Sequence, residues 1–174
     1  SGVSHQEVDY QFDAIVFATG FDAMTGALSN IDIRGKNGQS LKEKWDGGPQ
    51  TFLGLTTHGF PNMFTITGPG SPSVLTNMLP SIEQHVNFIS DCILYMKENG
   101  HSKIEPEMTA ELDWGLHVNE VAGVSLRSTC ASWYVGANVP GKPRVFTPYI
   151  GGFPRYVERC KSVVDNGYEG FSLI

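Results

Sequence analysis

A glycine- and proline-rich loop that leads into a long helix is the stretch of this sequence best suited to bind an anion. The loop covers residues 68–73 (GPGSPS), and apolar residues at helical spacing start at Met78. The free N–H groups and the positive dipole end of a helix N-terminus favour a negatively charged or electron-rich group. A phosphate and a reduced flavin meet that requirement equally well, and an ordinary loop with a helix cap is the alternative without a ligand.

Two other stretches carry residues suited to a nucleotide. Residues 13–20 (DAIVFATG) indicate an apolar strand that ends in a turn, where Gly20 leaves room for a ligand. Residues 131–144 place Trp133 in a flexible loop, and its indole offers a stacking face and one N–H donor for a ribose. Lys142 and Arg144 are candidate phosphate contacts. The alternatives are an ordinary buried strand for the first stretch and a core-filling tryptophan for the second.

Motifs for other chemistries do not occur in the sequence. The five histidines are scattered, without HExxH or metal-ligand spacing, so no metal site is predicted. No GxSxG, P-loop or GxGxxG motif is present. We interpret His85, inside the predicted long helix, as structural and not catalytic. Cys92, Cys130 and Cys160 form no CxxC pair, which predicts reduced, buried thiols in a cytosolic protein.

The composition is that of a globular domain. Hydrophobic residues make up 40% of the 174 residues and charged residues 17%, which allows a sizeable core. The net charge of −6 disfavours nucleic acid and anionic membranes as partners. No apolar run approaches the ~20 residues that cross a bilayer. Residues 1–5 are neither basic nor apolar, which argues against a signal peptide and favours a cytoplasmic location.

The elements that must position these stretches follow an α/β pattern. Residues 12–18 and 62–67 are rich in β-forming residues. The first stretch is apolar enough to be covered on both faces, as in a parallel sheet. The sequence offers no evident partner strands for it. We therefore predict a segment of a larger fold, whose remaining strands lie elsewhere.

Three long helices are predicted from apolar residues at a spacing of about 3.6. They cover residues 78–99, 109–126 and 153–166, and a short helix is expected at 41–45. Thr76 or Asn77 is the expected N-cap of the first, and Gly100 and Gly167 occupy C′ positions. The apolar patterns consist of Met78, Ile82, Val86, Ile89, Ile93 and Met96; of Leu112, Leu116 and Val121; and of Tyr156, Val157, Cys160, Val163 and Val164. Residues 132–148 are expected to form a loop.

Together these stretches resemble the Baeyer–Villiger monooxygenases of the cyclohexanone and phenylacetone monooxygenase type, which are class B flavoproteins. The similarity runs from about Asp9 to the C-terminus. It is most specific in residues 67–86 (TGPGSPSVLTNMLPSIEQHV), 132–144 (SWYVGANVPGKPR), and 149–156 with 167–171. The resemblance implies the C-terminal part of a Rossmann-like fold with two dinucleotide-binding domains, one for FAD and one for NADP.

The resemblance also implies a chemistry that no local pattern reveals. NADPH reduces bound FAD, O2 adds at flavin C4a, and the peroxide inserts one oxygen into a ketone to give an ester or a lactone. FAD contacts are implied for Asn77 and for the main chain of Met78, and a hydrogen bond to the NADP ribose for Trp133. Ser73, Val74 and Leu75 are implied to line the ketone pocket.

The same resemblance divides the chain and places the catalytic centre outside it. Residues 1–100 correspond to the closing part of the FAD-binding domain, and residues 101–174 to the C-terminal helices with the NADP- and substrate-side loop 131–148. The glycine-rich dinucleotide motifs and the catalytic arginine belong to an N-terminal portion, and neither Arg144 nor Arg155 takes that arginine's place. We therefore expect no catalytic residue here and no activity of the segment alone.

Two alternatives differ from this interpretation. An N- or S-oxidising flavin monooxygenase uses chemistry of the same broad class, and residues 136–144 (GANVPGKPR) favour the Baeyer–Villiger branch over it. A non-catalytic binding or scaffold module that keeps remnants of the fold belongs to a different class. Such a module is expected to be a soluble monomer, whereas a segment of an enzyme is expected to aggregate or to remain with its N-terminal portion.

Overall fold

The computed structural model describes residues 2–18, 20–72 and 76–174. Its strands are β1 (Gly2–His5), β2 (Val8–Gln11), β3 (Ile104–Pro106) and β4 (Phe171–Leu173). Its α-helices are α1 (Gly26–Ser29), α2 (Leu41–Lys44), α3 (Met78–Glu98), α4 (Met108–Gly123) and α5 (Phe153–Asp165). Short 3₁₀ turns occur at Lys36–Gly38, Leu126–Ser128 and Trp133–Val135. None of the helices in the described ranges is long and apolar enough to cross a membrane.

The predicted helices are confirmed, with boundaries close to the expected ones. α3 begins at Met78 because Asn77 caps it, with the Asn77 side chain accepting a hydrogen bond of 3.1 Å from the Leu79 N–H. Pro80 is tolerated because it lies in the first turn, where no intrahelical acceptor exists for its missing N–H. α2 is fixed by a reciprocal capping box between Ser40 and Glu43.

One hydrophobic core joins the two halves of the chain. Its fully or nearly fully buried members include Phe52, Leu53, Leu55, Phe88, Cys92, Ile104, Trp114, Tyr149, Tyr156, Val163 and Tyr168. β3 and β4 pair in antiparallel fashion, with Ile104 opposite Leu173, and so connect the C-terminus to the segment between α3 and α4. Residues on both sides of position 100 therefore depend on the same packing.

The predicted strand over residues 12–18 is not formed within the described residues. These residues have no ladder partner in the described part of the chain, whose strands form two antiparallel pairs, β1–β2 and β3–β4. Val16 and Phe17 are each 85% exposed. A strand that is apolar on both faces needs neighbours that pair with its edges and cover its faces, and no described segment supplies them. The predicted parallel sheet is therefore not formed by the described residues.

Residues 62–67 are not a strand either. Asn62 and Thr67 have φ values of 59° and 55°, which interrupt an extended backbone. Asn62 instead exchanges two hydrogen bonds of 2.9 Å with the backbone of Ile104, one through its N–H and one through its side-chain oxygen. The β1–β2 hairpin was not predicted from the sequence; it turns at Gln6 and Glu7, whose φ values of 48° and 66° are uncommon outside glycine.

Two helices bury a face that matches the predicted one only in part: Met96 is buried, and Ile89 and Val121 pack against the core as predicted, but the centre of each buried face differs. The buried residues are Ser81, His85, Phe88, Cys92 and Met96 on α3, and Glu111, Trp114, Val118 and Ala122 on α4. The expected inward residues Ile93 and Leu116 are 55% and 69% exposed. Polar side chains decide both orientations, because His85 and Glu111 have their hydrogen-bond partners inside the fold. The expected face of α5 is confirmed for Tyr156, Cys160 and Val163.

The three cysteines are free, and two of them are buried as predicted. Burial raises the pKa of the Cys92 thiol to about 12 and that of the Cys160 thiol to about 11. Cys130 is exposed, contrary to the prediction, because it lies in the irregular segment between α4 and the 3₁₀ turn at Trp133–Val135.

A buried ion pair connects α2 to α4. Glu111 Oε2 lies 2.8 Å from Lys44 Nζ, and Glu111 Oε1 accepts a hydrogen bond of 2.8 Å from the backbone N–H of His58. The Glu111 side chain has no exposed surface, and that of Lys44 is 14% exposed. Removal of either partner would leave the other charge buried without compensation.

We expect Glu111→Ala to lower the free energy of unfolding of the intact protein by about 3–5 kcal/mol, because it strands the Lys44 ammonium and the His58 N–H. Denaturant unfolding measures the change. Asp165→Ala is the matched control: it removes the solvent-exposed Lys161–Asp165 pair on α5 and should cost at most about 0.5 kcal/mol. Equal losses in the free energy of unfolding would show that the buried pair contributes no more to stability than the exposed pair does.

Candidate functional site

The loop that precedes α3 is buried and held by hydrogen bonds from distant parts of the chain. Residues 68–72 all lie in the interior. The Pro69 carbonyl accepts a hydrogen bond of 2.6 Å from Thr51 Oγ1, and the Gly70 carbonyl accepts one of 3.1 Å from Trp114 Nε1. Gly70 has a φ of 85°, and a Cβ there would lie 2.8 Å from Thr51 Oγ1, so the position requires glycine. The loop that precedes α3 therefore has a fixed conformation.

The same loop is attached to the segment before α5. The Gly70 N–H donates to the Thr147 carbonyl at 2.7 Å, and the Tyr149 N–H donates to the Ser71 carbonyl at 3.0 Å. Thr147 in turn donates both its N–H and its hydroxyl to the Tyr134 carbonyl, at 2.9 and 3.0 Å. A continuous series of hydrogen bonds thus connects the loop before α3 to the loop that carries Trp133.

His85 of α3 binds the backbone of Thr67, the residue that directly precedes this loop. Its Nδ1 accepts a hydrogen bond of 3.0 Å from the Thr67 N–H, and its Nε2 lies 3.0 Å from the Tyr156 hydroxyl, which donates to the Leu53 carbonyl at 2.8 Å. The His85 side chain is fully buried, and this burial lowers its pKa to about 4. His85 is thus a neutral residue of the interior, in agreement with the structural role predicted for it.

The N-terminus of α3 is open. Met78 is 38% and Leu79 69% exposed, so no apolar side chains from the described residues cover this end. The Asn77 side chain accepts the cap hydrogen bond, and residues 77–80 of the first turn are exposed. Ser73, Val74 and Leu75, the predicted substrate-pocket residues, and Thr19 lie outside the described residues.

Trp133 lies in a 3₁₀ turn and is half-buried. Its ring stacks on that of Tyr134, with centroids 4.4 Å apart and an interplanar angle of 24°. No described residue accepts a hydrogen bond from its indole N–H, and the neighbouring Ser132 hydroxyl oxygen is buried without a partner. An indole that leaves its donor free and lies outside the core clusters is better suited to bind a ligand than to fill the interior.

The loop with Trp133 is tied to the turn that follows Gly20. Asn138 Nδ2 donates to the Phe21 carbonyl at 2.8 Å, and Lys142 Nζ donates to Asp22 Oδ1 at 2.5 Å and to Thr25 Oγ1 at 2.7 Å. The ammonium group of Lys142, considered from the sequence as a phosphate contact, is thus paired with a carboxylate of this chain. Arg144 remains exposed.

The Asp22 carboxyl in this connection is ionised at neutral pH. Burial by itself would raise the pKa of the Asp22 carboxyl, but hydrogen bonds from Lys142 and Thr25 outweigh that effect and leave the pKa below 3.8. The stabilisation is therefore complete above pH 3.8 and is lost as the pH falls through the lowered pKa. We call this ion pair the Asp22–Lys142 clamp.

The structure thus brings together three sequence motifs that are far apart in the chain. The turn at Gly20–Asp22, the loop 131–144 and the loop 67–72 are connected through the clamp and through the Tyr134–Thr147–Gly70 hydrogen bonds. The three motifs are recognisable in the sequence, but the roles of Asp22 and Asn138 as their connectors are not. The available signal was their position, since both lie within or next to a motif and have short polar side chains suited to bind loop backbone.

A cleft of about 610 Å³ lies elsewhere, between α4 and α5. Trp114, Tyr149 and His117 form its aromatic side, and Arg155 and Arg159 lie on consecutive turns of α5. None of the residues predicted to bind a cofactor lines it. The cleft is a poorer candidate site than the surface formed by the three connected motifs, because it mixes the arginines with Glu107, Asp113 and Glu169.

Comparisons with known proteins identify the class. No protein-family model matches the chain. The chain is 43% identical over 165 residues to the acetone monooxygenase (methyl acetate-forming) of Gordonia sp. strain TY-5, covering 94% of this chain and 31% of that enzyme. It is 38% identical over 160 residues to a Baeyer–Villiger monooxygenase of Pseudooceanicola batsensis, covering 92% and 29%. The structure of OTEMO in complex with FAD and NADP superimposes with a TM-score of 0.86 at 38% identity, over 97% of this chain and 31% of that one.

These similarities extend over nearly the whole chain, and they show that the chain is similar to monooxygenases of the Baeyer–Villiger type. It spans about a third of the length of the relatives that it matches. The resemblance noted in the motifs is thereby confirmed at the level of the family.

We expect Asp22→Asn to accelerate tryptic cleavage after Arg144 about tenfold at neutral pH. Loss of a hydrogen bond between charged groups removes about 1.5 kcal/mol, and 1.4 kcal/mol corresponds to a factor of ten in the opening equilibrium of the loop. The time course of the cleavage, followed by mass spectrometry, measures the effect.

Asp32→Asn serves as the control for this change, because Asp32 pairs with Arg34 on the surface, where the side chains are 73% and 55% exposed. This variant should be cleaved at the unmodified rate. Unchanged cleavage in Asp22→Asn would show that the clamp does not hold the loop.

Proposed function

We propose that this chain is the C-terminal segment of an FAD-containing, NADPH-dependent Baeyer–Villiger monooxygenase, which inserts one oxygen atom of O2 into a ketone to give an ester or a lactone. The single observation that carries the proposal is the hydrogen-bonded connection of the three family motifs into one surface. The clamp attaches the loop with Trp133 to the Gly20 turn, and the Thr147 bonds attach it to the loop before α3.

The residues on this surface fit a flavin and a nicotinamide nucleotide. The N-terminus of α3 presents the exposed backbone at Met78 and a positive dipole end, which suit the electron-rich edge of a reduced flavin. FAD, when bound and reduced, supplies the chemistry that activates O2. We assign the FAD contact to the main chain of Asn77 and Met78, and the contact to the NADP ribose to the indole N–H of Trp133, which no described residue accepts. Ser73, Val74 and Leu75 are proposed to line the ketone pocket.

Exposed apolar surface supports the proposal that a further portion of the enzyme completes the fold. Val16 and Phe17 are 85% exposed and Phe21 is 77% exposed, on a stretch whose sequence favours a strand covered on both faces. α3 also exposes a second apolar face that includes Leu79 and Ile93. We propose that the N-terminal portion supplies the parallel partner strands, both glycine-rich dinucleotide motifs and the catalytic arginine.

The same proposal assigns the two parts of the chain to different cofactors. Residues 1–100 form the FAD side, with the loop before α3 and α3 itself. Residues 101–174 form the NADP and substrate side, with the loop 131–148. The three free cysteines support a reducing, cytoplasmic compartment for the enzyme.

Residues 1–174 expressed alone are expected neither to bind FAD with micromolar affinity nor to oxidise NADPH. A helix-end interaction contributes roughly 0.3–2 kcal/mol, whereas micromolar binding requires about 8 kcal/mol. The sequence contains no GxGxxG motif, the strand–helix turn that binds the pyrophosphate. A titration followed by flavin absorbance, with NADPH oxidation in the presence of a cyclic ketone, tests both statements.

The full-length enzyme is the matched control. It should bind FAD stoichiometrically, oxidise NADPH faster when a ketone is added, and release a lactone or an ester. Stoichiometric micromolar FAD binding by residues 1–174 alone would overturn the segment proposal. A full-length enzyme that binds FAD but converts amines or sulfides and no ketone would establish the N- or S-oxidising alternative instead.

A further inference from the structure

We infer that His85 is a positioning residue, whose neutral imidazole holds the backbone of Thr67 and thereby fixes the buried loop that leads to the N-terminus of α3. Its effect on the reaction rests on the proposed function, because that function places the flavin and the ketone at this loop and helix end. Its effect on the loop itself depends only on the contacts described here. No role in the chemistry is assigned to the imidazole, which is buried away from the open helix end.

The hydrogen bonds around His85 admit only one arrangement of protons. The Leu53 carbonyl can only accept, so Tyr156 donates its hydroxyl proton to it, over 2.8 Å. The Tyr156 oxygen therefore accepts from His85 Nε2–H over 3.0 Å. The Thr67 N–H can only donate, so His85 Nδ1 must be unprotonated to accept it over 3.0 Å. The side chain is locked in one neutral tautomer.

The residue that His85 holds has a strained backbone. Thr67 has a φ of 55°, a value that a β-branched residue rarely adopts. Such a conformation persists only where surrounding contacts enforce it. The hydrogen bond from the Thr67 N–H to His85 is the contact nearest to the strain. The next four residues are buried, and two of them, Pro69 and Gly70, are bonded to Thr51, Trp114 and Thr147. His85 therefore stabilises the backbone conformation of the residue that directly precedes the loop.

The buried environment keeps His85 in the form that this role needs. Burial lowers its pKa to about 4, so the imidazole is neutral at physiological pH. A proton on Nδ1 would direct N–H against N–H at Thr67 and remove the bond. Displacement of a positioned group by about 1 Å costs on the order of 10²-fold in rate, which sets the scale of the effect on ketone turnover when the loop shifts.

Two substitutions of His85 in the full-length enzyme separate its two hydrogen bonds. The side-chain oxygen in His85→Asn lies near the position of Nδ1 and can still accept from the Thr67 N–H. The amide nitrogen in His85→Gln reaches toward the position of Nε2 and can still donate to Tyr156. Both variants keep a polar, uncharged side chain, so they share the general cost of altering the core.

Hydrogen exchange of peptides that cover residues 66–72 is the first measurement. His85→Gln should exchange at least tenfold faster than the unmodified enzyme in this stretch, and His85→Asn within about threefold of it. The KM for a cyclic ketone should rise at least tenfold in His85→Gln and less than threefold in His85→Asn, with FAD content unchanged in both. Equal exchange and equal KM in the two variants would overturn the inference and reduce His85 to a packing residue.

A suppressor variant keeps the inference testable if His85→Gln folds poorly. Glycine adopts a φ of 55° without strain, so Thr67→Gly should reduce the dependence of the loop on His85. The double variant Thr67→Gly with His85→Gln is expected to recover slow exchange over residues 66–72, and failure to recover it contradicts the inference. Absence of ketone turnover in the unmodified enzyme would refute the proposed function, while the exchange data would still decide the role of His85.

Discussion

The structure depends on the burial of residues 68–72, a loop that has no secondary structure of its own to satisfy its backbone. Buried N–H and C=O groups without partners are costly, so a loop at this depth needs hydrogen-bond partners from elsewhere. The partners come from Thr51, from Trp114 of α4 and from the segment at Thr147 and Tyr149. The core forms around this loop, because the residues that bind it are also core residues or lie next to them.

Polar contacts also determine which side of each helix faces inward. α3 and α4 both have apolar residues on more than one side, so hydrophobic burial alone does not select a face. His85 and Glu111 make the choice, since a buried imidazole and a buried carboxylate are tolerated only where their partners lie. The exposed apolar residues that remain, including Ile93 and Leu116, are the consequence.

The sequence was sufficient to predict the elements whose signals are local. Apolar spacing, the Asn77 cap and the C-terminal glycines predicted α3, α4 and α5 because helix formation is decided within a few turns. The strand predicted at residues 12–18 is not formed, because its apolar pattern requires neighbouring strands that are not among the described residues. The motifs around Gly20, Gly70 and Trp133 were recognised from residue types, but their connection through Asp22 and Lys142 spans 120 positions and has no local signature.

The most direct test of this account is the crystal structure of the full-length enzyme with FAD and NADP bound. The account predicts the flavin ring against the backbone at Asn77 and Met78, with the Trp133 indole N–H within hydrogen-bond distance of the NADP ribose. It also predicts Val16 and Phe17 covered by parallel strands of the N-terminal portion. Cofactors bound instead in the cleft with Arg155 and Arg159, with the helix end free, would contradict it.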